Sequence, residues 1–80
     1  MENKIAVLAV IINDSAAVET VNSLLHEFRD YVVGRMGIPY RLKNVNIISV
    51  VLDAPAEKIN SLSGKLGMIS GVSSKVLTAK

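Results

Sequence analysis

The feature that most constrains the fold is an unbroken apolar run from Ile5 to Ile12, rich in β-branched residues. Such side chains favour extended backbone, and a strand without polar side chains is typical of one buried on both faces. A second run, from Val45 to Leu52, is interrupted only by Asn46 and Ser49. The two runs therefore predict two central strands of one sheet.

Each run is followed by a segment with helical periodicity. The first begins near Asp14 or Ser15, whose side-chain oxygen can cap the amides of a first turn. Its apolar stripe comprises Val18, Val21, Leu24, Leu25 and Phe28. The second is predicted to begin at Asp53, with Pro55 in the first turn and Gly67 as the C-cap. Its stripe comprises Ile59, Leu62 and Leu66.

Two further strands are predicted beside these. The stretch from Tyr31 to Tyr40 contains Gly34, Gly37 and Pro39, which indicate an edge strand with a bulge or turn. Gly71 is expected to turn the chain into a last strand, from Val72 to Thr78. We expect Gly64 to mark a close helix packing, because a glycine within a helix is otherwise unfavourable.

The order β-α-β-β-α-β predicts an α+β fold: a ferredoxin-like sandwich of one antiparallel four-stranded sheet with two helices on one face. We expect residues 1–80 to form this single domain. An open α/β unit is the alternative arrangement of the same elements.

Both faces of the predicted central strands are apolar, although the helices can cover only one. On the first strand, Ile5, Val7 and Ile11 point to one face, and the residues that alternate with them and point to the opposite face are also apolar. The chain has 80 residues, 50% of them hydrophobic, and no cysteine, so neither size nor disulfides can supply much stability. We therefore expect a second copy to cover the free face, in a homodimer or homotetramer. A monomer with an exposed face, or with an additional covering segment, is the alternative.

Charge and hydropathy exclude several classes of function. The net charge of +2 is spread over mixed positive and negative residues, so we expect no direct nucleic-acid binding. The longest apolar run is far shorter than the ~20 residues of a membrane helix, so we expect no membrane association. A signal peptide is disfavoured because its removal would delete the best strand, and a cytoplasmic location is expected.

The sequence offers little for catalysis. His26 is the single histidine and there is no cysteine, so we expect no metal and no cofactor. No serine lies in a nucleophile-elbow pattern, and Gly64-Lys65 lacks the spacing of a phosphate loop. We therefore expect a non-catalytic protein.

One segment suits recognition of a carboxylate, a phosphate or a partner chain, because it combines arginines, a methionine and a tyrosine on a glycine-shaped edge. The candidate ligand- or partner-binding residues, expected on an inter-subunit surface, are Arg35, Met36, Gly37, Tyr40 and Arg41. The turn after the first strand is the second candidate, with Asn13, Asp14 and Ser15. The competing interpretation of the first set is a structural bulge with an oligomer contact.

The sequence resembles the family of iron-only hydrogenase system regulators nearly from end to end. The resemblance depends on five runs: Val21–Glu27, Gly34–Arg41, Ile47–Ala54, Leu62–Gly67 and Ile69–Val72. It implies a fold similar to ACT domains and to the C-terminal domain of the nickel-responsive repressor, in an oligomer that acts as a regulatory or sensing module. It implies no known ligand.

Departures from these relatives limit what can be transferred. The repressor's nickel site uses several histidines and a cysteine, whereas this chain has one histidine and no cysteine. The repressor also has a separate DNA-binding segment of the ribbon-helix-helix type. Only Met1-Glu2-Asn3 precedes the first strand of this chain, so we expect no such segment here. ACT domains often have a glycine between the first strand and the first helix, where it admits an amino acid. This chain has Ile12-Asn13-Asp14-Ser15 there, so the resemblance does not imply amino-acid binding.

Two other functions are alternatives to a regulatory module. One is a small enzyme with an inter-subunit site using His26 or Tyr40, and the other is a regulator that binds DNA directly.

Overall fold

A computed structural model describes residues 2–79. The strands and helices, in chain order, are β1 (Asn3–Ile12), α1 (Val18–Glu27), β2 (Val32–Tyr40), β3 (Val45–Pro55), α2 (Ala56–Gly67) and β4 (Val72–Thr78). The four strands form one antiparallel sheet in the order β2-β3-β1-β4. The predicted α+β, ferredoxin-like fold is thus confirmed, with the two apolar runs in the centre and the glycine-rich strand at an edge.

The core lies between the sheet and the two helices. Alternate residues of the central strands point towards the helices and are buried: Ala6, Leu8, Val10 and Ile12 of β1, and Ile48, Val50, Leu52 and Ala54 of β3. The helices contribute Val21 and Leu25 of α1 and Ile59, Leu62 and Leu66 of α2. Because no polar or charged side chain among residues 2–79 is buried, packing of apolar groups supplies the stability of this layer.

The edge strand β2 carries the bulge that its glycines predict. Its pairing with β3 shifts between Val32 and Gly34, where one residue is left without a partner. Tyr31, which was predicted to begin the strand, instead ends a short 3₁₀ turn over Arg29–Tyr31. Beyond the bulge the pairing is regular as far as Tyr40 opposite Val45.

The ends of α2 differ from the prediction. Pro55 is the N-cap and the last residue of β3, with φ −60° and ψ 148°, rather than a residue of the first helical turn. Its fixed φ suits either position, so the sequence did not distinguish them. Gly67 is the last helical residue and Met68 is the C-cap, whereas Gly71, at φ +81°, makes the predicted turn into β4.

The predicted close packing at Gly64 is absent within the described part of the chain. A Cβ atom added there would meet nothing within 4 Å. Lys65 of α2 lies near the C-terminal end of α1, with its Nζ 3.7 Å from Oε2 of Glu27 and 5.5 Å from the ring centre of Phe28. Both charged side chains are more than half exposed, so this ion pair contributes little to stability. No helix in the described range is long and apolar enough to cross a membrane.

Candidate functional site

The pleat of β2 places the predicted site residues on two different surfaces. Successive side chains of a strand point to opposite sides of the sheet. Arg35 and Gly37 lie opposite Val50 and Ile48, which face the helices, whereas Met36 lies opposite Ser49 on the other side. Within one chain, the sheet therefore separates Arg35 from Met36 and Tyr40.

The side of the sheet away from the helices, here called the free face, carries large apolar side chains from all four strands, together with Ser49, Asp53, Ser73 and Lys75. In one row Ile38, Ile47 and Ile11 lie next to one another, and in another Val51, Val7 and Leu77 do. Its exposed large side chains are Ile5, Val7, Ile11, Met36, Ile38, Tyr40, Ile47 and Leu77, each with at least 36% of its surface accessible. The alternating pattern predicted apolar side chains on both faces of the sheet, and this is the face that the helices leave uncovered.

Arg35 lies on the other side, at a groove between α1 and β2. The groove, of about 530 Å³, is lined by Asn22, Leu25, His26, Arg29, Val32 and Arg35. We refer to it as the α1–β2 groove. Arg35 Nη2 donates a 2.7 Å hydrogen bond to Oδ1 of Asn22, and Arg29 Nη1 donates a 3.1 Å hydrogen bond to the carbonyl oxygen of His26. Two guanidinium groups and one imidazole thus share a groove that no carboxylate lines.

Asn22 and Arg29 were not among the predicted site residues. Their spacing along the sequence could have identified them, because residues three and four positions apart lie on the same face of a helix. Asn22, His26 and Arg29 have that spacing, although Arg29 lies just beyond α1 in the following turn.

Arg41 lies apart from the groove. It opens a 3₁₀ turn over Arg41–Lys43, and its carbonyl oxygen accepts a 3.1 Å hydrogen bond from the amide of Asn44. Asn44 adopts a left-handed conformation at φ 55°, which asparagine tolerates better than most residues. Arg41 is exposed and does not line the α1–β2 groove.

The turn with Asn13, Asp14 and Ser15 has a clear structural role. Oδ1 of Asp14 accepts a 3.0 Å hydrogen bond from the amide of Ala16, so Asp14 caps a short 3₁₀ turn over Ser15–Ala17. The predicted cap of the helix itself is not made, because α1 begins at Val18 and its N-cap, Ala17, has no side-chain hydrogen bond. The amide of Asn13 donates a 2.7 Å hydrogen bond to the carbonyl oxygen of Gly71. Ser15 lines a shallow depression of about 540 Å³ next to the groove, with Asn22 and His26 also in its wall.

His26 and Tyr40 do not converge within one chain. His26 lies on α1 and lines the groove, whereas Tyr40 lies on the free face, with the sheet between them. An active site that used both would need a second copy of the chain. Within residues 2–79, no three His, Cys, Asp or Glu side chains are grouped as a metal site requires.

Comparison with known proteins gives one family and two informative structures. The TM1266-like family model, described as a proposed iron-only hydrogenase system regulator, matches residues 4–76. The structure of the uncharacterized protein TM1266 from Thermotoga maritima is 39% identical, covers 99% of this chain and 100% of its own, and has a TM-score of 0.94. No curated protein matches the chain.

The second structure is a formyltetrahydrofolate deformylase from Pseudomonas putida KT2440. It is 18% identical, with a TM-score of 0.65, over 91% of this chain and 28% of the deformylase chain. At that identity the similarity shows a shared fold only. The match to TM1266, in contrast, extends over both whole chains.

Proposed function

This chain belongs to the family of iron-only hydrogenase system regulators, and we propose that it works as a homo-oligomeric, non-catalytic regulatory module that binds a small ligand or a partner protein. The family description supports the regulatory role. A cytoplasmic location and action on an iron-only hydrogenase system are parts of the same proposal.

The free face is the observation that supports the proposed self-association. It carries eight large apolar side chains from all four strands, each with at least 36% of its surface accessible. Monomers rarely leave so large a contiguous apolar patch in water. A second copy is the occupant we propose, because an identical apolar face offers a self-complementary surface without any further protein.

This assignment divides the predicted site between two tasks. Met36 and Tyr40 lie on the free face and would contact the second copy. Arg35 lies on the helix side, where the α1–β2 groove remains accessible when the free face is covered. Ligand or partner binding is therefore proposed for the groove.

Solution mass tests the oligomer directly. Light scattering coupled to size exclusion, over a range of protein concentrations, is expected to give the mass of a dimer or a tetramer. The mass of a single chain throughout the micromolar range would contradict self-association. A different protein would then be the better candidate for covering the free face.

A genetic test addresses the regulatory role. In a host that makes both this protein and an iron-only hydrogenase, deletion is expected to change hydrogenase activity. Transcript levels measured in the same cells separate an effect on expression from an effect on enzyme assembly. Unchanged activity and transcripts across growth conditions would contradict the proposed role.

A further inference from the structure

The geometry points to a binding site for a small organic anion in the α1–β2 groove, with its phosphate or carboxylate group held by Arg29 and Arg35. The inference rests on the proposed regulatory function and deepens it by naming the chemical class of the ligand.

The charged groups that line the α1–β2 groove are positive. Neither Arg29 nor Arg35 has a carboxylate within 4.0 Å among residues 2–79. Glu27 of α1 is paired with Lys65, Glu19 of α1 lines the adjoining depression with Asn22 and His26 but not the groove, and Asp30 lines neither. Two permanent positive charges therefore share one groove without a counter-charge, which favours an anionic ligand.

The arginines are also oriented before any ligand arrives. Arg35 uses Nη2 on the Asn22 side chain, and Arg29 uses Nη1 on the carbonyl oxygen of His26. A guanidinium group has five N–H donors, so each arginine keeps several free for an oxyanion. Fixing the groups in advance lowers the conformational entropy that binding would cost.

The remaining wall suits an organic ligand rather than a bare ion. Leu25 and the partly buried Val32 line the groove, so it has an apolar side beside its charged one. A groove of about 530 Å³ lies in the range of small-molecule sites. His26 lines the same groove and can add a hydrogen bond to the ligand.

The test is an amide chemical-shift titration of the full ¹⁵N-labelled chain at constant ionic strength. The probes are phenyl phosphate, benzoate and inorganic phosphate, with benzyl alcohol as the uncharged control. Saturable shifts are expected at residues 22–35 with phenyl phosphate or benzoate, and the tighter of the two identifies the preferred head group. Phenyl phosphate should bind at least threefold more tightly than inorganic phosphate if the apolar wall takes part.

Variants assign the effect to the arginines. The R29Q/R35Q double variant should weaken binding at least tenfold, whereas K43Q/K58Q, which removes two exposed charges elsewhere, should leave it unchanged. Circular dichroism checks that both remain folded. Absence of saturable shifts with every anion, or equal binding by R29Q/R35Q, would overturn the inference.

Solution mass measured on the same samples separates this inference from the proposed function. An oligomer that binds no anion overturns the groove assignment alone. A monomer that binds phenyl phosphate through the two arginines supports the groove and contradicts self-association.

Discussion

Arg35 of β2 and Asn22 of α1, thirteen positions apart in the chain, are joined by a 2.7 Å hydrogen bond between side chains. This contact links the edge strand to the helix across the α1–β2 groove. It also fixes one end of the Arg35 guanidinium, whose remaining donors face no carboxylate within 4.0 Å among residues 2–79.

Replacing Asn22 with alanine should affect binding more than stability. Both side chains are exposed, so loss of the hydrogen bond is expected to lower the free energy of unfolding by less than about 1 kcal/mol. Phenyl phosphate affinity should fall severalfold, because Arg35 is no longer held in place. Asn60→Ala, the same change on the exposed surface of α2, is the control and should leave affinity unaltered. Equal affinity in N22A and the wild type would show that Asn22 does not position the arginine.

Two glycines should respond to alanine with opposite signs. Gly71 has φ +81°, and an added Cβ would lie 2.6 Å from Cβ of Asp14, so Gly71→Ala should lower the free energy of unfolding by about 1–3 kcal/mol. Gly64 lies in α2 with open space around it, so Gly64→Ala should raise it by about 0.5–1 kcal/mol. Urea unfolding at one fixed protein concentration measures both. Destabilisation by G64A would indicate that a second copy packs closely against this helix.

The core between sheet and helices should dominate stability. Leu62 is fully buried, so Leu62→Ala is expected to cost about 2–5 kcal/mol through lost burial and a residual cavity. Leu42 is 86% exposed, and Leu42→Ala should change the free energy of unfolding by less than about 0.5 kcal/mol. A similar loss in both variants, measured by urea unfolding, would contradict the described core.

A charge on the free face should break the proposed oligomer. Ile38 is 46% exposed on the edge strand, so Ile38→Asp should be tolerated by the fold but would place an unpaired carboxylate in the interface. Light scattering is expected to give a single-chain mass at concentrations where the wild type is assembled. Met68, 88% exposed in the turn after α2, provides the control M68D, which should assemble normally. A wild-type mass for I38D would place the interface elsewhere.

Much of the fold could be predicted from the sequence because it depends on local patterns. The runs at Ile5–Ile12 and Val45–Leu52 determine the two central strands, since only buried strands are uniformly apolar and β-branched. Gly34, Gly37 and Pro39 place the intervening strand at an edge, where a bulge or a missing amide is tolerated. The boundary at Pro55 was less well determined, because its φ suits both the end of a strand and the start of a helix.

The candidate site was less accessible to sequence reasoning. Arg35 was identified, but it was grouped with Met36 and Tyr40, from which the pleat of β2 separates it. The glycines and the proline obscured that alternation. Asn22 and Arg29 have the spacing of one helix face, but nothing local indicates that this face lies beside β2.

The sequence by itself thus determined the order of the elements, the central and edge strands, and the presence of two apolar faces on the sheet. Only the tertiary structure decided which face the helices cover and therefore which remains free. The physical reason is that β1 is equally apolar on both faces, so its alternation cannot choose between them. The face that the helices cover depends on how the whole chain packs. The hydrogen bond between Arg35 and Asn22 depends on the same packing, because it joins the edge strand to a helix.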